Sequence, residues 1–176
     1  MNIRKFTIIT SAMLLLTAIA VTGCRIKYSF NGASINPNAK TFSVAYFPNN
    51  ASMVAPVLSS TLTDALKDRF AKQTRLTEKT DGPGDLAFEG EIIGYVSQPA
   101  AITSNEDAPT AKNRLTIRVK VKFTNALDPQ YNFEKTFQQF SEYPTTTYLQ
   151  DAEPELIPEI VEMLVEDIFN AAVANW

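Results

Sequence analysis

The stretch Asn113-Arg114-Leu115-Thr116-Ile117-Arg118-Val119-Lys120-Val121-Lys122-Phe123-Thr124-Asn125 alternates apolar and polar residues along its whole length. Successive side chains of a β-strand point to opposite faces, so this period of two is the mark of a half-buried strand. Leu115, Ile117, Val119, Val121 and Phe123 line one face, and Arg114, Thr116, Arg118, Lys120, Lys122 and Thr124 the other. A sheet containing this strand has an apolar face that needs a covering layer and a basic face that does not.

The flanking segments supply both the sheet and its cover. Asp85–Ser97 reads as a strand with Leu86, Phe88, Ile92 and Val96 on one face and Glu89, Glu91, Ile93 and Tyr95 on the other. Gly90 and Gly94 within it mark bulges or close approach. On the other side, Asp128-Pro129 turns the chain into a strand over Tyr131–Tyr143. Phe133 and Phe137 share a face there, and Phe140 joins them only through a bulge near Gln138-Gln139. Thr41–Phe47 is a further strand, with Phe42, Val44 and Tyr46 on one face and a stop at Pro48-Asn49-Asn50.

Two segments have helical spacing instead. Met53–Gln73 carries an apolar stripe of Val54, Leu58, Leu62, Ala65, Leu66 and Phe70, with Ser52 as N-cap and Pro56 in the first turn. The final helix carries Ile157, Ile160, Val161, Leu164, Ile168, Phe169 and Ala172; Pro154 and Pro158 set its regular start near Ile157. The order strand, helix, three strands, helix predicts an α+β fold. It is a two-layer sandwich with two helices on one face of a four-stranded mixed sheet, the first two strands parallel through a right-handed crossover.

The N-terminus has another logic. Arg4 and Lys5 precede an uncharged, mostly apolar run over Phe6–Val21, and Val21-Thr22-Gly23-Cys24 follows. This is a bacterial secretory signal ending in a lipobox. The expected organisation is a signal peptide over 1–23, a lipidated tether over 24–40, and one α/β domain over 41–176. The tether includes Tyr28 and Phe30, which alternate as a short edge strand. Cys24 is the only cysteine. Acylation there spends its sulfur on a thioether. Each buried methylene adds ~0.8 kcal/mol of membrane partitioning, and stable anchoring takes more than one chain.

Composition narrows the chemistry. The chain has no histidine, so the commonest general base and metal ligand is absent. With the thiol spent, zinc, copper and iron sites are disfavoured and no metal or cofactor is expected. Removing Arg4 and Lys5 with the signal takes the net charge from −3 to −5, which argues against nucleic acid as a partner. Gly82-Pro83-Gly84 lacks the lysine and helix start of a phosphate loop. The acidic pairs lie at alternate strand positions or helix ends and read as solvated charge. The expectation is a binding module and not an enzyme.

One constellation remains. Arg114, Arg118, Lys120 and Lys122 project from the helix-free face, alternate residues standing ~6.6–6.8 Å apart. Two readings fit. The stripe grips phosphates or sugar acids, or it is neutralised by cross-strand pairing with Glu89, Glu91 and Glu134. The polar loop Gln98–Asn113 is long for a hairpin connection, a length often found in functional loops.

Nearly all of the chain after the lipobox resembles the LptE-type lipopolysaccharide-assembly lipoproteins, in their Bacteroidetes form. The resemblance lies in Tyr28-Ser29-Phe30-Asn31-Gly32, Lys40-Thr41-Phe42-Ser43-Val44, Phe47-Pro48-Asn49, Asp85-Leu86-Ala87-Phe88-Glu89-Gly90 with Gly94-Tyr95, Asn113-Arg114-Leu115-Thr116-Ile117, Asp167-Ile168-Phe169-Asn170 and Trp176. It implies a lipoprotein in the inner leaflet of the outer membrane that plugs an LptD-type β-barrel and helps deliver lipopolysaccharide. It also implies lipopolysaccharide contacts through basic strand residues, here Arg114, Arg118, Lys120 and Lys122 by position. Arg25-Ile26-Lys27 after the cysteine, instead of acidic residues, fits a periplasm-facing anchor. The alternative is a periplasmic auxiliary lipoprotein of a lipid ABC transporter or an activator of a cell-wall synthase.

Overall fold

Phe88, Phe123 and Phe133 stand opposite one another on three adjacent strands and form the spine of the molecule. The computed structural model describes residues 35–53, 55–100 and 111–173. The signal segment, Cys24, the Tyr28–Phe30 strand, residues 101–110 of the long loop and Trp176 lie outside the described residues. In chain order the elements are β1 (Thr41–Val44), α1 (Leu58–Gln73), β2 (Thr77–Glu78), β3 (Leu86–Pro99) and β4 (Lys112–Asn125). A 3₁₀ turn over Pro129–Tyr131, β5 (Phe133–Pro144) and α2 (Leu149–Val173) complete the fold. Among the described residues, no helix is long and apolar enough to cross a membrane.

The sheet has five strands, ordered β2-β1-β3-β4-β5, one more than the sequence predicts. The extra strand, β2, is only Thr77 and Glu78, pairing in parallel with Thr41 and Phe42. Two exposed residues carry no periodicity, so no pattern announces them. β1 pairs in parallel with β3, as the intervening helix requires, and β3, β4 and β5 form an antiparallel meander. Both helices contribute to the core on the apolar face of this mixed sheet.

Phenylalanine dominates that core. Ring centroids lie 5.7 Å apart for Phe42–Phe70, 4.6 Å for Phe70–Phe88, 4.9 Å for Phe88–Phe123 and 5.2 Å for Phe123–Phe133. Such offset and tilted pairs contribute ~0.5–1.5 kcal/mol beyond their burial. Phe70 also meets Phe169 at 5.0 Å and so locks α1 to α2.

Four local expectations are corrected. The pairing of β3 with β4 shifts register between Ile92 and Gly94. The extra residue swaps the faces beyond it, so Tyr95 is buried and Val96 is 43% exposed, the reverse of the simple alternation. The β4–β5 register is continuous from Phe123↔Phe133 to Lys112↔Pro144. No bulge brings Phe140 inward, and it lies on the outer face under the Arg114 guanidinium, 4.0 Å from the ring centroid. α1 starts at Leu58 and not at Met53, because proline disfavours the helical region for the residue before it and Pro56 stands in the way. Ser52 is therefore not its cap; Val57 occupies that position without a side-chain cap bond.

The fourth correction is the start of α2. It begins at Leu149 and runs through Pro154 and Pro158. An interior proline costs ~3 kcal/mol or more. Both prolines are exposed and four residues apart, so they share the solvent side of the helix. Burial of Ala152, Leu156 and Ile157 on the opposite side holds the turns that the prolines weaken. One buried aliphatic side chain is worth ~1.5–3 kcal/mol, and two large ones offset most of the cost.

Candidate functional site on the open sheet face

Among the described residues, no helix lies on the outer face of the sheet. Arg114, Arg118, Lys120 and Lys122 all stand on it, because each alternates with a fully buried residue of β4. The structure thus brings the four basic residues onto one surface, and the register of the neighbouring strands then treats them differently.

Lys122 sits opposite Glu89 on β3 and Glu134 on β5. It pairs with Glu89 at 3.2 Å. Lys120 pairs with Glu134 at 2.5 Å. That hydrogen bond, and the charge behind it, hold the Glu134 carboxyl below its usual range and the Lys120 ammonium above its own. Glu91, directly across from Lys120, accepts instead from the Asn50 side-chain amide at 2.6 Å. Arg114 bonds Glu142 through Nη2 at 2.6 Å and through Nε at 3.2 Å while stacking on Phe140. The pairing reading therefore holds for Lys120, Lys122 and Arg114, although Glu91 takes no part and Glu142 replaces it.

Arg118 is different. Its cross-strand neighbours are Gly94 and Gln138, and it has no carboxylate partner among the described residues. Gly94 matters to its posture. A β-carbon there would stand 3.2 Å from both Cβ and Nη2 of Arg118, so the side chain lies flat across the glycine. Beside it runs an apolar row in register, Val96, Thr116 and Phe140, with Val96 and Phe140 43% and 42% exposed. The upper outer face is thus a small apolar strip with the Arg118 guanidinium, unpaired among the described residues, on one side and the stacked Arg114 guanidinium on the other.

The lower outer face is a shallow depression of about 320 Å³ between Pro48 and the side chains of Glu89, Glu91, Lys120, Lys122 and Glu134. Both lysines there are already paired and Glu91 adds an unneutralised carboxylate, so an anion entering must break an ion pair. An anion meeting Arg118 breaks no ion pair with the described residues. The sequence places the four bases on one face, as the structure does, but cannot rank them, because that ranking depends on register. Among the described residues no group of acidic side chains is placed to hold a metal ion.

Among curated proteins no sequence matches. Solved structures to which this chain is similar include a minor lipoprotein from Acinetobacter baumannii, at 13% identity and a TM-score of 0.45 over 71% of this chain and 91% of that one. Lipoprotein B from Nitrosomonas europaea aligns at 11% identity and 0.41 over 77% and 87%. Rare lipoprotein B from Shewanella oneidensis aligns at 9% identity and 0.37 over 73% and 89%. The family model described as LptE, lipopolysaccharide-assembly, matches residues 39–172, from just before β1 to the last turn of α2. On that match, which takes in every strand and both helices, the chain belongs to the LptE lipopolysaccharide-assembly family.

Proposed function

We propose that this protein is a lipid-anchored, non-catalytic component of lipopolysaccharide assembly at the outer membrane, facing the periplasm. Cys24 carries the acyl chains after residues 1–23 are removed, and residues 24–40 tether a single domain over 41–176. The domain plugs and supports an LptD-type β-barrel, and lipopolysaccharide meets its open sheet face. Family membership supports the assembly role. The observation that carries the lipopolysaccharide contact is Arg118, a guanidinium without a carboxylate partner among the described residues, beside the Val96–Thr116–Phe140 strip. A phosphorylated amphiphile needs that pair of surfaces: a cation for the phosphate and an apolar strip for the chain next to it. Arg114 assists from its stack on Phe140, and Lys120 and Lys122 add long-range positive potential more than direct contacts.

Equilibrium binding of purified lipopolysaccharide tests this reading. Arg118→Ala is expected to weaken binding about tenfold and to reduce its salt dependence, since exposed charges are screened over ~8–10 Å at ordinary ionic strength. Lys122→Ala is expected to do less, because Lys122 must leave Glu89 before it can bind. Equal effects of the two changes, or none from either, count against the site.

A further inference from the structure

β5 is the last strand of the sheet, and among the described residues nothing pairs with its outer edge. Thr145 donates to the Ala111 carbonyl, so those two form a hydrogen-bonded pair just past the strand end. Bonded and non-bonded pairs alternate along an antiparallel ladder. The register therefore turns the odd-numbered residues of β5 toward β4 and the backbone groups of Glu134, Thr136, Gln138, Phe140 and Glu142 away from it. None of those outward N–H or C=O groups is bonded by another described residue. Sheets usually guard such an edge with a bulge, a proline, a very short strand or charged side chains, and of these β5 has only the charges of Glu134, Lys135 and Glu142. β5 is 12 residues long and free of bulges, with its only proline at the final position.

The helix over this edge gives it a charge. α2 contains no lysine or arginine, and Asp151, Glu155, Glu159, Glu162 and Glu166 are all exposed. Its flank is tied to β5 on the helix side of the sheet: Ser141 donates to Glu159 at 2.9 Å and Gln139 to Asp167 at 2.6 Å. The Gln139–Tyr143 half of the open edge therefore lies beneath an acidic wall. At the other end Lys135, with its Nζ 5.3 Å from the Phe133 ring centroid, marks the limit of that wall. A second copy of this chain pairing edge to edge would set two acidic helices side by side.

We propose that the outer edge of β5 receives an extended strand from a basic partner protein, with lysine or arginine at every second position facing α2. The added strand takes its main-chain bonds from the outward groups of Thr136 to Glu142, and its basic residues meet Glu159, Glu162 and Glu166. Main-chain bonding supplies affinity and the alternate side chains supply selectivity, as in strand addition generally. The added strand bonds to the backbone edge of β5, whereas lipopolysaccharide meets side chains on the outer face; Gln138 and Phe140 border both, so peptide binding is read by itself and not through lipopolysaccharide affinity.

The probe is a synthetic peptide of about ten residues alternating lysine and threonine, followed by fluorescence anisotropy. Saturable binding is expected from this peptide and none from its glutamate–threonine counterpart. Gln138→Pro removes one outward donor while leaving the β4 ladder intact, because proline is tolerated where the strand N–H faces solvent. It is expected to weaken binding about tenfold with the thermal midpoint near wild type. The double change Glu162→Lys and Glu166→Lys, on an exposed helix face, is expected to weaken binding without disturbing the sheet. Methylating the peptide amides at lysine positions in one version and at threonine positions in another blocks one edge of the strand each time, so one version must bind and the other fail. No saturable binding of the parent peptide, identical behaviour of the two methylated versions, or full binding by Gln138→Pro overturns the proposal.

Discussion

The Nε of Arg118 lies 2.6 Å from the point where a β-carbon on Gly94 would stand. The contact is with a flexible side chain, and Gly94 has an ordinary backbone conformation. In Gly94→Ala, Arg118 lifts away from the sheet. Replacing a strand glycine by alanine gains ~0.5–1 kcal/mol, which offsets the displacement. The expected result is a denaturation midpoint near wild type together with lipopolysaccharide affinity reduced toward that of Arg118→Ala. An affinity equal to wild type shows that the flat posture of Arg118 is irrelevant to binding.

Gly90 makes the opposite case. A β-carbon there would collide with the Lys120 carbonyl and stand 2.6 Å from Cε1 of Phe47, which is fully buried. Backbone and a core ring cannot swing aside as an arginine can. Gly90→Ala is therefore expected to cost ~1–3 kcal/mol, the range for an overpacked core. A midpoint equal to wild type in urea denaturation contradicts this packing.

These two glycines show what the sequence could and could not disclose. Their presence in a strand signalled bulge or close approach, and both occur: the register shift falls beside Gly94, and Phe47 lies against Gly90. The consequence for Tyr95 was not legible, because a single inserted residue inverts every face beyond it. The alternation from Leu115 to Phe123 is legible residue by residue because β4 itself carries no inserted residue; the extra residue lies on β3. Phe140 breaks the alternation of Phe133 and Phe137, and whether a bulge corrects this is not legible in the sequence; the register is continuous, so Phe140 stays outside, against the Arg114 guanidinium. The start of α2 was missed because local proline penalties lost to tertiary packing of Leu156 and Ile157. Arg118 could be placed on its face but not distinguished from its neighbours, whose carboxylate partners come from strands remote in sequence.

Leu62 on α1 and Leu164 on α2 are both fully buried. Each truncation to alanine is expected to cost ~2–5 kcal/mol. Circular dichroism during urea titration checks this, and a wild-type midpoint in either variant means that its helix face is misassigned.

Two groups give the stability a pH dependence of known sign. Asp85 accepts from the Lys40 and Thr41 amides, each at 2.9 Å, and from the Thr41 hydroxyl at 3.0 Å. These bonds, the Lys40 amide first, hold its carboxyl below the ordinary value of 3.8. Its contribution is complete above that value and is lost as pH falls through the lower folded one. Tyr95 is shifted upward, first by burial and then by its 2.6 Å bond to Glu153. Its contribution is complete below the ordinary value of 10.0 and declines as pH rises above it. Asp85→Asn is expected to flatten the stability profile below about pH 4, and Tyr95→Phe above about pH 10. Profiles parallel to wild type in both windows contradict these assignments.

Recovery of the full-length protein from native membranes, with identification of what accompanies it, tests the central claim most directly. The account predicts that an LptD-type outer-membrane β-barrel co-purifies, and that Cys24→Ala releases the protein from the membrane fraction and reduces barrel recovery. Co-purification with an inner-membrane transporter or a cell-wall synthase, with no barrel present, would contradict it.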